Sequence, residues 1–474
     1  MVFSSSIFLL FFLPIVLLIY FICEKKYKNY VLLLASIIFY SWGAPKFIFV
    51  IIGTTYLDFV LVNRISASTD KKTRTTLLLI SVCVNLGLLF YFKYCNFFIE
   101  NINALLSCFH ASPIKLLNVI LPIGISFYTF ETLTYVVDVY RRVHIPLKKF
   151  WDYLLYILFF PKLIAGPIVR YHEISDQLTN RNETIDNKIN GLFRFIIGLS
   201  KKVLIANVLA EQADKIFDLS LADITTNHAW SGALLYTFQI YFDFSGYSDM
   251  AIGLALLFGF RLPENFNNPY ISQSITEFWR RWHMTLGNWM KNYLYIPLGG
   301  NKVKSKSRLY FNLSLVFIIS GFWHGAAWTF IIWGAYHGFF LIIERLFLLR
   351  FYKKAGKLIS TLLTFLFVVI GWVFFRAENF GQAVLFIKKM FQFRFSGQLV
   401  FLFEEKLIWI FCIAIASCFI WTSTSAQKFQ QKLILDSPGL LNTFFKSIVG
   451  IVLSVICLGS VVGSNFNPFI YFRF

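Results

Sequence analysis

Long apolar runs alternate with short basic ones from end to end of this chain. Apolar runs near 20 residues predict membrane-spanning helices. Shorter or interrupted runs predict broken segments shielded by protein. The first five runs cover residues 7–22, 30–42, 47–62, 76–98 and 120–139. Gly43, Ala44 and Pro45 break the chain between the second and third. Basic loops mark the cytoplasmic side of a membrane protein. The loop after the first run carries Lys25, Lys26 and Lys28. Arg64, Lys71, Lys72 and Arg74 follow the third run, and Arg141, Arg142, Lys148 and Lys149 follow the fifth. This parity puts the N-terminus on the far side. The first run lacks a basic leader and a small-residue cleavage pattern, so it is expected to stay as a span.

The middle of the chain is less regular. Residues 151–169 are apolar, but Pro161 and Pro167 interrupt them and Lys162 lies among them. A broken or re-entrant helix is expected there. Residues 191–210 place Arg194, Lys201 and Lys202 in an apolar helix, expected to be amphipathic or interfacial. Residues 230–260 are apolar around Asp243 and Asp249, two carboxylates expected to be helix-terminal or buried in hydrogen bonds, or else to serve a polar cavity. The charges at Glu277, Arg280, Arg281 and Lys291 exclude an ordinary lipid-facing span, so short amphipathic helices are predicted for residues 261–308.

Two basic loops then bracket residues 309–343: Lys302, Lys304, Lys306 and Arg308 before them, and Arg350, Lys353, Lys354 and Lys357 after them. A segment that leaves and returns to one side is a hairpin. The 14 residues 309–322 rise about 21 Å as a helix, less than the roughly 30 Å hydrocarbon core. His324 therefore falls at a hairpin turn within membrane depth. Further spans at 358–375, 407–421 and 444–462 put the C-terminal tail outside the cytoplasm. The expected fold is an all-α polytopic membrane protein with about 10 to 12 spans, read as one domain over residues 1–474 with an extracytoplasmic tail at 465–474.

Composition agrees. The chain has 474 residues, 57% hydrophobic and only 14% charged, with a mean hydropathy of +0.65. The net charge of +20 is explained by the cytoplasmic loops, and no soluble basic face suggests nucleic acid. The seven cysteines form no CxxC pair and mostly sit in apolar runs, which argues for packing rather than for disulfides or zinc.

Ionisable side chains at membrane depth are functional candidates. His283 and His324 each lie beside tryptophan in an apolar sequence. An imidazole among aromatic rings favours its neutral form, which accepts a proton as a general base. A structural hydrogen-bonding role is the competing reading. His337 is expected to pack between helices, and His110, His144, His172 and His228 to lie in loops. No phosphate loop, GxSxG elbow or HExxH motif occurs.

A set of motifs runs in order through the chain: LPIGISFYTF at 121–130, AGPIVR at 165–170, FDFSGYSDMAIG at 242–253, FWRRWHMTL at 278–286, YLYIPLGGN at 293–301 and SGFWHG at 320–325. With the opening MVFSS and Phe12-Leu13-Pro14, this set resembles the membrane-bound O-acyltransferase family, especially its bacterial branch that acetylates envelope polysaccharides. The resemblance implies a ring of helices around a thinned centre, with a funnel from each face. It matches His324 to the family's essential histidine and His283 to its second polar position. It implies no bound cofactor, a cytoplasmic donor of the acetyl-CoA kind, and residence in the inner membrane in contact with lipid. A periplasmic SGNH-type acetyltransferase or related acceptor-selecting partner would deliver acetyl to an envelope glycan. The ending Phe469-Ile470-Tyr471-Phe472-Arg473-Phe474 fits an F-x-Y-x-x-F pattern, which implies transient acyl transfer to Tyr471. A phenol with pKa near 10 leaves more readily than an alkyl alcohol, so its acetate is an activated ester. An interfacial aromatic anchor is the other reading of the tail. Two further readings of the whole chain are a transporter or flippase without covalent chemistry and a scaffold of a glycan-export complex.

Overall fold

The computed structural model describes residues 1–395, 404–435 and 440–463. These residues are helical, with no strand among them. Five described segments are long and apolar enough to cross a membrane: Phe47–Ala67, Lys71–Cys108, Trp328–Arg376, Glu405–Thr422 and Asn442–Gly463. A shorter apolar helix spans Phe8–Ile22. The protein is therefore an all-α, multi-pass membrane protein. It divides into two units. One holds Met1–Thr184 with Phe258–Pro263, and the other holds Ile185–Leu257 with Glu264–Phe474.

The first unit contains α1 (Leu13–Ile22), α2 (Lys28–Ser41), α3 (Phe47–Ala67), α4 (Lys71–Leu89), α5 (Cys95–Cys108), α6 (Ile125–Tyr140), α7 (Phe150–Leu158), α8 (Phe160–Leu163) and α9 (Tyr171–Thr179). The expected break lies between α7 and α8, where Phe159 leaves helical geometry one residue before Phe160-Pro161. The backbone N–H of Phe160, freed by the break, donates to Ser36 Oγ at 3.1 Å. Lys162, carried inward by α8, forms a buried ion pair with Glu131 of α6. Around the pair, Tyr156 donates to the carbonyl of Val169 at 2.8 Å and sets its ring 4.6 Å from the Lys162 ammonium. A second buried carboxylate, Asp58, accepts from Ser81 and from Asn85 Nδ2. Apolar surroundings make such charges costly unless every one is paired and hydrogen-bonded.

The second unit contains α10 (Ile185–Ser200), α11 (Asn207–Phe217), α12 (Thr226–Leu257), α13 (Ile275–Arg281), α14 (Met284–Trp289), α15 (Lys306–His324), α16 (Trp328–Ile343), α17 (Leu349–Arg376), α18 (Phe380–Met390), α19 (Glu405–Phe419), α20 (Thr424–Leu435) and α21 (Leu440–Gly463). The 32-residue α12 is its central strut, buried along most of its length. Helix α10 lies antiparallel to it, with Gly191 against Gly253 and Gly198 against Gly246. A Cβ on Gly198 would stand 2.5 Å from the Gly246 carbonyl oxygen, so only glycine permits this approach.

That approach corrects the interfacial reading of residues 191–210. Arg194, Lys201 and Lys202 face the carboxylates of α12 and its following loop. Lys202 pairs with Asp243 at 2.6 Å, with both side chains buried. Arg194 and Lys201 grip Asp249 at 2.9 and 2.6 Å, and Arg194 also reaches Glu264 at 2.5 Å. Both basic and acidic partners look stranded when either stretch is read alone. His172, the second residue of α9, and His228, in the first turn of α12, also depart from their expected loops.

The predicted hairpin is present as α15 and α16. Gly321 lies against Phe330 and Gly334 against Phe317, an antiparallel arrangement closed by a three-residue turn after His324. The chain then reverses at Gly356, whose φ of +83° interrupts α17. Beyond it, Phe367 packs on Phe340 and Gly371 on His337, so the rest of α17 runs antiparallel to α16.

Candidate active site

The site is built in the second unit by α13, its following turn, and the α15–α16 hairpin. Helix α13 is short and held at its start. Ser274 Oγ accepts from the Glu277 N–H at 3.0 Å. The buried Glu344 carboxylate accepts from the N–H of Ile275, from the N–H of Thr276 at 2.9 Å and from Thr276 Oγ1 at 2.6 Å. A carboxylate on the first free N–H groups of a helix satisfies donors that have no helical partner. Thus fixed, α13 drives Phe278, Trp279 and Trp282 into the aromatic core.

His283 follows immediately, with φ +44° and ψ +51°. Histidine adopts this left-handed geometry more often than most residues, yet it remains uncommon and clusters at functional sites. Two backbone bonds hold the turn: Asn267 N–H to the Arg281 carbonyl and Met284 N–H to the Asn265 carbonyl, each 2.9 Å. The His283 ring is buried edge-on to Phe244, with centroids 4.7 Å apart. Its Nδ1 lies 3.0 Å from Asn265 Oδ1, and its Nε2 has no hydrogen-bond partner among the described residues.

His324 ends α15 and is also buried. Its ring meets Trp323, Trp333 and Phe375 at centroid distances of 4.9, 5.3 and 5.2 Å. Gly325 beside it is required by close approach, because a Cβ there would lie 2.2 Å from the Phe330 ring. The two imidazoles are 6.4 Å apart between centroids. The structure therefore brings His283 and His324 together although 41 positions separate them (324 − 283). His337 packs on the same Trp333 at 5.2 Å and on Trp279 at 4.9 Å, both nearly edge-to-face. Its nitrogens have no conventional hydrogen bond among the described residues, and edge-to-face rings offer N–H groups the weaker partner of an aromatic face. Tyr471 lies outside the described residues.

Two cavities approach the imidazoles. One, of about 180 Å³, is lined by Arg194, Lys201, Asp249, Glu264, Asn265 and Gln430 among others. It reaches His283 through Asn265. The other, of about 400 Å³, is lined by Asp218, Tyr236, Thr329, Phe330, Phe375 and Arg376 among others. It reaches His324 through the Phe375 ring. Arg376 Nη2 is held by Asp214 at 2.8 Å at this second cavity. The sequence reading missed Asn265, Glu344 and Arg376. Each acts through partners distant in sequence, and no local spacing signals them.

The fold and site define a multi-pass membrane protein that buries two imidazoles in an aromatic core, each one side chain away from a cavity. The family model for the membrane-bound O-acyltransferase family matches residues 139–377. The chain is 47% identical over 395 residues to the probable alginate O-acetylase of Pseudomonas aeruginosa, covering 83% of this chain and 75% of that protein. It is 40% identical over 425 residues to the peptidoglycan O-acetyltransferase of Helicobacter pylori, covering 82% and 80%. It is 30% identical over 293 residues to the teichoic acid D-alanyltransferase of Bacillus subtilis, covering 56% and 70%. The chain belongs to the membrane-bound O-acyltransferase family and is an O-acyltransferase.

Proposed function

We propose that the protein takes acetyl from acetyl-CoA at the cytoplasmic face of the inner membrane and passes it outward for O-acetylation of an envelope polysaccharide, alginate-like exopolysaccharide or peptidoglycan. The observation that carries this reading is the approach of two cavities to a pair of histidines 6.4 Å apart. The relatives named for alginate and peptidoglycan acetylation supply the substrate class.

The smaller cavity suits the thioester arm of the donor. Its fixed charges pair with one another, and Ser245, Ser248, Asn267, Gln427 and Gln430 make the rest of the polar wall neutral, which suits a chain of amides. The larger cavity admits the hydroxyl acceptor. His324 takes the hydroxyl proton as the oxygen attacks the thioester carbonyl. The C–S bond then breaks, and the imidazolium returns the proton to the thiolate. The products are an ester and free thiol, with no other reactant required. Stabilising the developing oxyanion falls to buried donors of this aromatic site.

Tyr471 is the proposed first acceptor on the outer side, and a periplasmic SGNH-type transferase takes acetyl from it to the glycan. Protein in proteoliposomes, given labelled acetyl-CoA on its cytoplasmic face, should acquire an alkali-labile label on Tyr471. Tyr471→Phe should lose that label and glycan acetylation together. Full glycan acetylation in Tyr471→Phe removes the carrier step. Labelling only when donor is on the outer face overturns the direction of transfer.

A further inference from the structure

We infer that Asn265 is a positioning residue that locks His283 in its Nδ1–H tautomer and leaves the Nε2 lone pair open as a hydrogen-bond acceptor in the transfer site. The inference rests on His283 belonging to the transfer site. Asn265 is 1% exposed, and the Thr285 backbone N–H, which can only donate, marks its Oδ1 at 3.4 Å. Its Nδ2 donates to Ser248 Oγ of α12 at 3.0 Å. Its Oδ1 accepts from Thr285 Oγ1 at 2.9 Å. An amide oxygen only accepts, so the His283 Nδ1 at 3.0 Å must carry the proton and donate it. In a neutral imidazole the other nitrogen then holds the lone pair. That nitrogen is the buried Nε2 with no hydrogen-bond partner among the described residues.

The same residue holds the backbone. The Asn265 carbonyl receives the Met284 N–H, directly after the left-handed His283. Asn265 thus fixes the main chain, the ring and the tautomer of one histidine. It also lines the 180 Å³ cavity, so the lock stands in the wall of the proposed donor site. The groups facing His283 from other elements are the rings of Phe244 on α12 and of Trp323 and His324 on α15, of which His324 is titratable. Arg194, Lys201, Asp249 and Glu264 line the cavity beyond Asn265 and neutralise one another in ion pairs.

The purified protein's acetyl-CoA-dependent transfer is measured across pH at matched protein amounts. Asn265→Asp keeps the shape and the bond but places a carboxylate against the ring, which favours imidazolium. Imidazolium has no lone pair to accept with at Nε2, so the acid limb of the profile should move to higher pH, by about one to three units. Asn265→Ala should lower activity about 10- to 100-fold, the usual cost of losing a group that orients a working histidine. His283→Asn keeps a residue that tolerates the left-handed backbone but has no ring and no Nε2 lone pair, and it should lose most activity. Activity in His283→Asn equal to wild type overturns the placement of His283 in the site. Loss in His283→Asn with an unshifted profile in Asn265→Asp overturns the lock alone. If Asn265→Asp does not accumulate, Ser248→Ala frees the amide to turn. It should lose activity that Ser248→Thr restores, and undiminished activity in Ser248→Ala overturns the lock.

Discussion

His324→Ala lowers glycan acetylation by about 10²- to 10⁴-fold at unchanged protein level, the usual contribution of a positioned general base. The side chain is buried against Trp323, Trp333 and Phe375, so alanine also opens space in the core. His324→Gln separates the two effects. Glutamine retains most of the volume and a hydrogen-bonding end, but it has no nitrogen that accepts a proton. It should accumulate as wild type and be as inactive as alanine. Acetyl content of the envelope glycan, normalised to membrane protein by immunoblot, is the measurement. Wild-type acetylation in His324→Gln would reduce this residue to a hydrogen-bonding role.

Lys162→Met removes protein rather than chemistry. The Lys162 and Glu131 side chains are 0% and 2% exposed, so methionine strands a carboxylate in an apolar core. Breaking such a pair costs about 3–5 kcal/mol, comparable to the whole stability of many domains. Thermal unfolding in detergent should show a large loss, and membranes should contain little of the variant. Replacing both partners, Lys162→Met with Glu131→Leu, removes both buried charges and should recover most of the loss. A single variant as stable as wild type would refute the energetic account of this pair.

The sequence reading and the structure agree where one local pattern suffices. Basic loops on both sides of residues 309–343 defined a hairpin, and the structure closes it at His324. Pro161 in an apolar run signalled a broken helix, and the break falls at Phe159. Agreement ends where the answer lies in a partner. Asp243 and Asp249 are expected to be buried in hydrogen bonds or to serve a polar cavity, and they are, but their partners are not legible locally because the cations sit on α10 and the segment after it. The same cations made residues 191–210 look interfacial, because amphipathicity reports a polar face without reporting what covers it. Chain length at roughly 20 residues per span suits about 10 to 12 helices, and five described segments are long and apolar enough to cross a membrane, one of which, Trp328–Arg376, reverses at Gly356. Helix α12 is also long, but its polar residues, which meet buried partners, lower its apolarity. Asn265 was invisible for a simpler reason. Its importance lies in which atom it turns toward His283.

The Glu344 carboxylate that caps α13 has a consequence for how the chain is made. It bonds Ile275 from 69 residues downstream. During synthesis the FWRRWH arm leaves the ribosome well before its cap exists. The α15–α16 hairpin lies between the two, so it must be synthesised before α13 can be fastened. The arm then waits as an unanchored amphipathic segment while the next two helices are threaded. Order of synthesis, not only final packing, therefore sets the earliest moment at which the two histidines can meet in a fastened site.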